Sequence, residues 1–127
     1  MLRKSSVSYK FSLRYFKSTI LRWNDFYQEV ESWNISDELR KSVQQKKLEF
    51  IKYYRDFPLS AYRQISDYDT LIQSIKIIEE ILGPQILHLP LPKNKNGIIF
   101  MMYRILGISR TCKLLYRYLK IKGVIKE

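Results

Sequence analysis

Cysteine and histidine are almost missing from this chain: Cys112 and His88 each stand alone of their kind. One cysteine allows no internal disulfide, which excludes the small secreted scaffolds that depend on them. One cysteine and one histidine also put a His/Cys metal cluster out of reach. Long apolar runs are absent too. The longest uninterrupted one extends from Ile98 to Tyr103 and is stopped by Arg104, whereas a membrane span needs roughly 20 apolar residues, so no transmembrane helix is expected. There is no RNP-type motif, no GXXG loop and no internal repeat of fixed period. Acids occur singly or as adjacent pairs, and neighbouring positions on a helix do not face each other, so no paired carboxylates converge. Cys112 has basic neighbours but no histidine placed to activate it. The chain is therefore read as non-enzymatic, with no cofactor and no metal ion.

What is present suits a folded protein: 46% hydrophobic and 28% charged residues over a length of 127, enough for one domain or one helical core with basic extensions. The net charge of +11 and the isoelectric point near 9.8 call for a polyanionic partner, such as RNA, DNA or an anionic membrane. The charge is unevenly placed. Residues 1–24 hold six bases and no acid, residues 25–82 hold eleven acids and eight bases, and residues 83–127 hold nine bases and the single acid Glu127.

The acid-free beginning combines Arg3, Lys4, Lys10, Arg14, Lys17 and Arg22 with Ser5, Ser6, Ser8, Ser12 and Ser18. At about 100° per residue, Tyr9, Leu13, Phe16 and Ile20 form a narrow apolar stripe, with Lys10, Arg14 and Lys17 a quarter-turn away. Such a segment reads as a mitochondrial targeting sequence, assigned to residues 1–20. Arg14-Tyr15-Phe16 ahead of Lys17-Ser18 resembles sites cut by the mitochondrial processing peptidase and places a mature start near Lys17. The competing reading is a basic helix of the fold itself, or a tail lying on RNA.

Residues 21–83 read as a helical core. Trp23, Phe26, Tyr27, Val30 and Trp33 recur at helical spacing. Ser36 then caps a helix over 37–57, with Asp37 and Glu38 in its first turn, where the helix dipole favours anions. Leu39, Val43, Phe50, Tyr54 and Phe57 share one face, and Pro58 is expected to displace Phe57 from helical geometry. After a connector over 59–65, Ser66 or Asp67 caps a second helix with the stripe Leu71, Ile75, Ile78 and Leu82, which Gly83-Pro84 is expected to close. Residues 84–97, with Pro90, Pro92 and Gly97, read as an extended linker in which His88 is an ordinary structural residue.

Residues 98–127 read as a basic helical region, with one short helix ended at Gly107 and a last one over 110–122, capped by Ser109. In that last helix Arg110, Lys113, Arg117 and Lys120 share a face, opposite Cys112, Leu115, Tyr116 and Leu119. A cationic ridge on an apolar anchor suits a phosphate backbone. Arg104, Arg110, Lys113, Arg117, Lys120 and Lys122 are the candidate nucleic-acid contacts. Tyr-Arg pairs recur at 54–55, 62–63, 103–104 and 116–117. Aromatic and cationic groups together suit RNA, although the first two pairs lie in the acid-balanced middle and are expected to stitch the core. Leu115-Tyr116-Arg117 resembles the tripeptide of the LYR proteins, small basic helical mitochondrial accessory and assembly factors. In that family the motif opens the first helix of the fold, whereas here it stands close to the C-terminus, and the reading does not rest on it.

The expected fold is all-α: a helical hairpin or three-helix bundle, followed across an extended linker by a basic C-terminal helix. The expected function is a structural component of the mitochondrial ribosome, in the matrix, touching rRNA and neighbouring proteins. The alternative is an accessory subunit or assembly factor of an inner-membrane respiratory or ATP-synthase complex, its bases facing acidic subunits or the anionic membrane surface.

Overall fold

A computed structural model of the chain describes residues 11–123. Arg3, Lys4 and Lys10 of the basic set, Tyr9 of the apolar stripe and the terminal Glu127 lie outside these residues. The fold is all-α, with six helices and no strand among the described residues: α1 Leu13–Val30, α2 Asp37–Asp56, α3 Pro58–Ala61, α4 Tyr68–Leu87, α5 Asn96–Leu106 and α6 Ile108–Ile121. None of these helices is long and apolar enough to cross a membrane.

Helix α4 is the axis of the fold and contacts α1, α2, α5 and α6. Its sequence explains this. Leu71, Ile75, Ile78 and Leu82 form the anticipated stripe, and Ile72, Ser74 and Ile86 are buried beside it, so more than one face of α4 is covered. The buried Ser74 hydroxyl donates to the carbonyl of Leu71 at 2.6 Å, which leaves no polar group unmatched there.

Helix α1 crosses the boundary that the composition drew at residue 20. Ser12 caps it by accepting from the Tyr15 amide at 3.2 Å, and Phe16, Ile20, Tyr27 and Val30 are buried along one face. Phe16 and Ile20 belong to the main core cluster. The buried amide of Asn24 accepts from Gln85 of α4 at 3.0 Å, which pins the register of α1 on α4. Trp23, Phe26 and Trp33 remain 46%, 40% and 44% exposed at the far end of this region.

Helix α2 begins as expected, with Ser36 accepting from the Leu39 amide at 3.2 Å. Only its second half reaches the core, through Ile51 and Tyr54. Leu39 stays 52% exposed, at the end of α2 that lies beside the turn after α1. There Arg40 donates to the Trp33 carbonyl at 2.9 Å, and Lys47 pairs with Glu31 at 2.9 Å.

Both expectations about proline are corrected. Phe57 keeps helical geometry, with φ −48° and ψ −48°, and its amide donates to the Tyr53 carbonyl. Pro58 simply opens α3, where a missing N–H costs no hydrogen bond. Gly83-Pro84 does not close α4, which continues to Leu87 with Pro84 inside it. The clash that usually forbids a helical residue before proline involves its Cβ, and Gly83 has none. The linker assigned to 84–97 thus shrinks to 88–95, because its first residues extend α4 and Asn96 and Gly97 begin α5. Leu89 is buried within it.

The basic C-terminal region is no appendage. Phe100 and Tyr103 of α5 and Ile108, Cys112 and Tyr116 of α6 share the core cluster with α1, α2 and α4. Tyr103 donates to the Arg55 carbonyl at 3.1 Å, and Tyr116 to the Pro58 carbonyl at 2.6 Å. Arg55 is itself buried; it donates to the Pro90 carbonyl at 3.2 Å and lies 4.4 Å from the centre of the Phe100 ring.

Gly107, at φ +93°, turns the chain sharply between α5 and α6. Ser109 is not the cap of α6. Instead Glu79 of α4 reaches across: its carboxylate accepts from the amides of Ile108 (2.8 Å) and Ser109 (3.3 Å) and from the Ser109 hydroxyl (2.7 Å). Replacing Glu79 by Ala should lower stability by about 1–3 kcal/mol, since it orphans several donors at once; urea unfolding followed by circular dichroism measures this. At Gly97 an added Cβ would lie 2.4 Å from the Pro92 carbonyl oxygen, against open space at Gly123. Gly97→Ala should therefore destabilise the protein clearly more than Gly123→Ala, although Gly123 is itself at positive φ.

Candidate functional site

Helix α6 divides along its length. Cys112 and Tyr116 are buried, Leu115 and Leu119 half-buried, and Arg110, Lys113, Arg117 and Lys120 lie on the exposed side. The core positions set the rotation of the helix, and the 3.6-residue period then aims all four cations outward.

Beside that ridge runs a groove of about 990 Å³, walled by α6 on one side and by the α3–α4 connection on the other. All four cations line it, and Arg63 joins them from the opposite wall. Tyr62, Tyr68 and Tyr116 line it as well, with Ile65, Leu71, Leu106 and Leu114 supplying apolar surface. Tyr116, held by its bond to Pro58, sits between the other two rings, 6.3 Å from Tyr62 and 6.4 Å from Tyr68, edge to face with both.

Asp67 is the acid in this lining, and it is engaged by its own helix. Its carboxylate accepts from the hydroxyl of Thr70 at 2.6 Å and from the Thr70 amide at 3.0 Å, as the N-cap of α4. Those bonds hold its carboxyl below the usual carboxylate range. On the other flank of Arg110 and Lys113, a shallower depression brings up Lys76, Glu79 and Glu80, with Glu79 committed to the cap of α6.

Of the six residues singled out as nucleic-acid contacts, the structure gathers Arg110, Lys113, Arg117 and Lys120. Arg104 belongs elsewhere: it donates to the carbonyls of Leu87 at 3.1 Å and Leu89 at 2.6 Å, satisfying groups left over at the end of α4. Lys122 lies past the last turn of α6, its ammonium 5.3 Å from the Tyr118 ring, and is not part of the groove lining. Arg63, Tyr62 and Tyr68 also line the groove, although none is among the six. The Tyr-Arg pairs at 54–55 and 62–63 are both expected to stitch the core, and Tyr62, half-buried, does pack against the core cluster. That assignment holds for Tyr54 and Arg55, which are buried. Arg63 is exposed, 5.5 Å from the centre of the Tyr62 ring.

Compared with known proteins, the chain matches no protein family, no curated sequence and no solved structure.

Cys112 is fully buried, and burial pushes its thiol up to about 12, which leaves almost no thiolate at neutral pH. The ring of His88 lies with Nδ1 2.6 Å from the Pro84 carbonyl oxygen, at the C-terminal end of α4. Two expectations follow. Arg104→Ala should lower stability by about 1–3 kcal/mol, the cost of leaving charge-assisted bonds unmade, without weakening polyanion binding, whereas Arg117→Ala should do the reverse; unfolding and binding titrations on both variants separate them. Stability should also fall as pH rises above about 9, because the unfolded thiol ionises near 9.0 while folded Cys112 keeps its proton to about 12. Burial raises Tyr103 and Tyr116 in the same direction. Alkaline melts of the native chain against Cys112→Ser isolate the thiol's share through their slopes with pH.

Proposed function

We propose that this chain is a non-catalytic component of the mitochondrial translation apparatus that lies on ribosomal RNA through the groove beside α6. The observation that supports this most directly is the gathering of five cations and three tyrosines around one cleft. Cations supply the salt-dependent attraction to phosphate, and aromatic rings supply surface for bases. The acid-free, serine-rich residues 1–24 support a mitochondrial address. The exposed Trp23, Phe26 and Trp33 support packing against neighbouring proteins, since half-covered aromatics of this kind are enriched at interfaces.

The address and the fold overlap, which revises where processing would fall. A cut near Lys17 would remove the Ser12 cap and the core residue Phe16. Loss of a buried phenylalanine costs about 3–5 kcal/mol. A processed form should therefore begin upstream of Ser12, and mass spectrometry of the mature N-terminus checks this.

The central experiment is affinity purification of the tagged full-length chain from mitochondria, with and without ribonuclease, alongside gradient sedimentation. Cosedimentation with a mitoribosomal subunit is expected. Slow sedimentation that persists in low salt overturns the proposal. Salt- or carbonate-releasable membrane association that ignores ribonuclease returns the accessory-subunit reading instead. In direct binding, each groove cation replaced by alanine should flatten the slope of log K against log salt by about 0.7–0.9.

A further inference from the structure

The groove carries more than a phosphate backbone requires. A duplex keeps its bases stacked inside and offers side chains mainly phosphates and sugars. Cations alone would answer that. Here the cleft also holds Tyr68, 51% exposed, with Leu106 and Leu114 at 37% and 48%. Apolar surface left uncovered amid cations is costly in water unless a ligand covers it. The ligand that satisfies both features is anionic and carries flat, largely apolar rings.

The dimensions point the same way. About 990 Å³ lies at the upper end of the range for pockets that enclose small ligands. It suits one or a few bases turned out of their stack and is too small to enclose a double helix. Arg63 faces α6 across the cleft, so a strand threaded between them would meet positive charge on both sides. The bases would then turn toward the tyrosines and leucines.

We infer that the groove takes single-stranded RNA, with at least one unstacked base resting on Tyr68 and the apolar floor and its phosphates on Arg63, Arg110, Lys113 and Arg117. This deepens the proposed function and rests on it for the choice of RNA as the polyanion. Tyr68 is then the residue that distinguishes a strand bearing bases from a bare polyanion.

Fluorescence anisotropy of the purified full chain tests this with three probes matched in charge: a short single-stranded RNA, a blunt RNA duplex and an abasic phosphodiester strand. The single-stranded RNA should bind at least about tenfold more tightly than either of the others. Tyr68→Ala should weaken it by roughly 5- to 100-fold, in line with the loss of one stacking contact, and leave the abasic strand unaffected. Tyr68→Phe should retain nearly full affinity. Tyr68 is half exposed, so both variants are expected to fold, and their circular dichroism spectra serve as the control. Equal binding of all three probes overturns the inference while leaving the proposed RNA contact standing. Binding of none of them overturns both, as does ribonuclease-resistant capture of an acidic protein that Arg117→Ala abolishes.

Discussion

The carboxylate of Glu79 at the start of α6 is the contact on which the arrangement of the cationic surface depends. The first turn of α6 contains no acid and includes Arg110, a charge that the positive end of a helix dipole disfavours. Nothing local stabilises that end. Glu79 supplies the missing anion from α4 and satisfies two amides and a hydroxyl together. Gly107 makes the approach possible. Its φ of +93° aims the chain back toward α4, and a Cβ added there would stand 3.1 Å from a Glu79 carboxylate oxygen. The position thus favours glycine on two counts, backbone conformation and space. Once that corner is set, Ile108, Cys112 and Tyr116 enter the core, and the rotation of α6 places its cations along the groove.

Much of this was legible in the residues. The apolar stripe of α4, the Ser36 cap of α2 and the two-faced character of α6 all follow from spacing and cap chemistry, which are local properties. So does the all-α class. What was not legible depends on partners distant in sequence. Glu79 looked like half of an adjacent acidic pair, Glu79-Glu80, with no sign that it would cap a helix some thirty residues later. Arg104 looked like one more cation of a basic region, although its donors serve the end of α4. Pro84 looked like a terminator because propensity weighs the proline and not the glycine before it. Arg63 was hidden by its neighbourhood, since charge averaged over a segment says little about which wall of a cleft one side chain will join.

Charge and packing are reconciled by separating them on the same helices. Like charges along α6 repel over distances comparable to the Debye length of about 8–10 Å, a cost that the isolated helix would bear with little compensation. Burial of the opposite face, with the Tyr116 hydroxyl bonded to Pro58, holds the helix in place against that repulsion. Two of the acids near this region are held by hydrogen bonds, Asp67 with Thr70 and Glu79 with Ser109. In the groove lining itself five cations stand against one acid.

The placement of α6 also sets an order of events. It is the last helix of the described chain, yet it packs on the central helix α4, and one wall of the groove is α6 itself. A chain delivered N-terminus first, whether from a ribosome or through a translocation pore, would carry α4 with a bare apolar flank until α6 arrived. Cleft and core would close in the same step. A partially delivered chain would thus lack any assembled cleft to occupy prematurely, and its exposed α4 flank would need protection from aggregation until the final turn of α6 had docked.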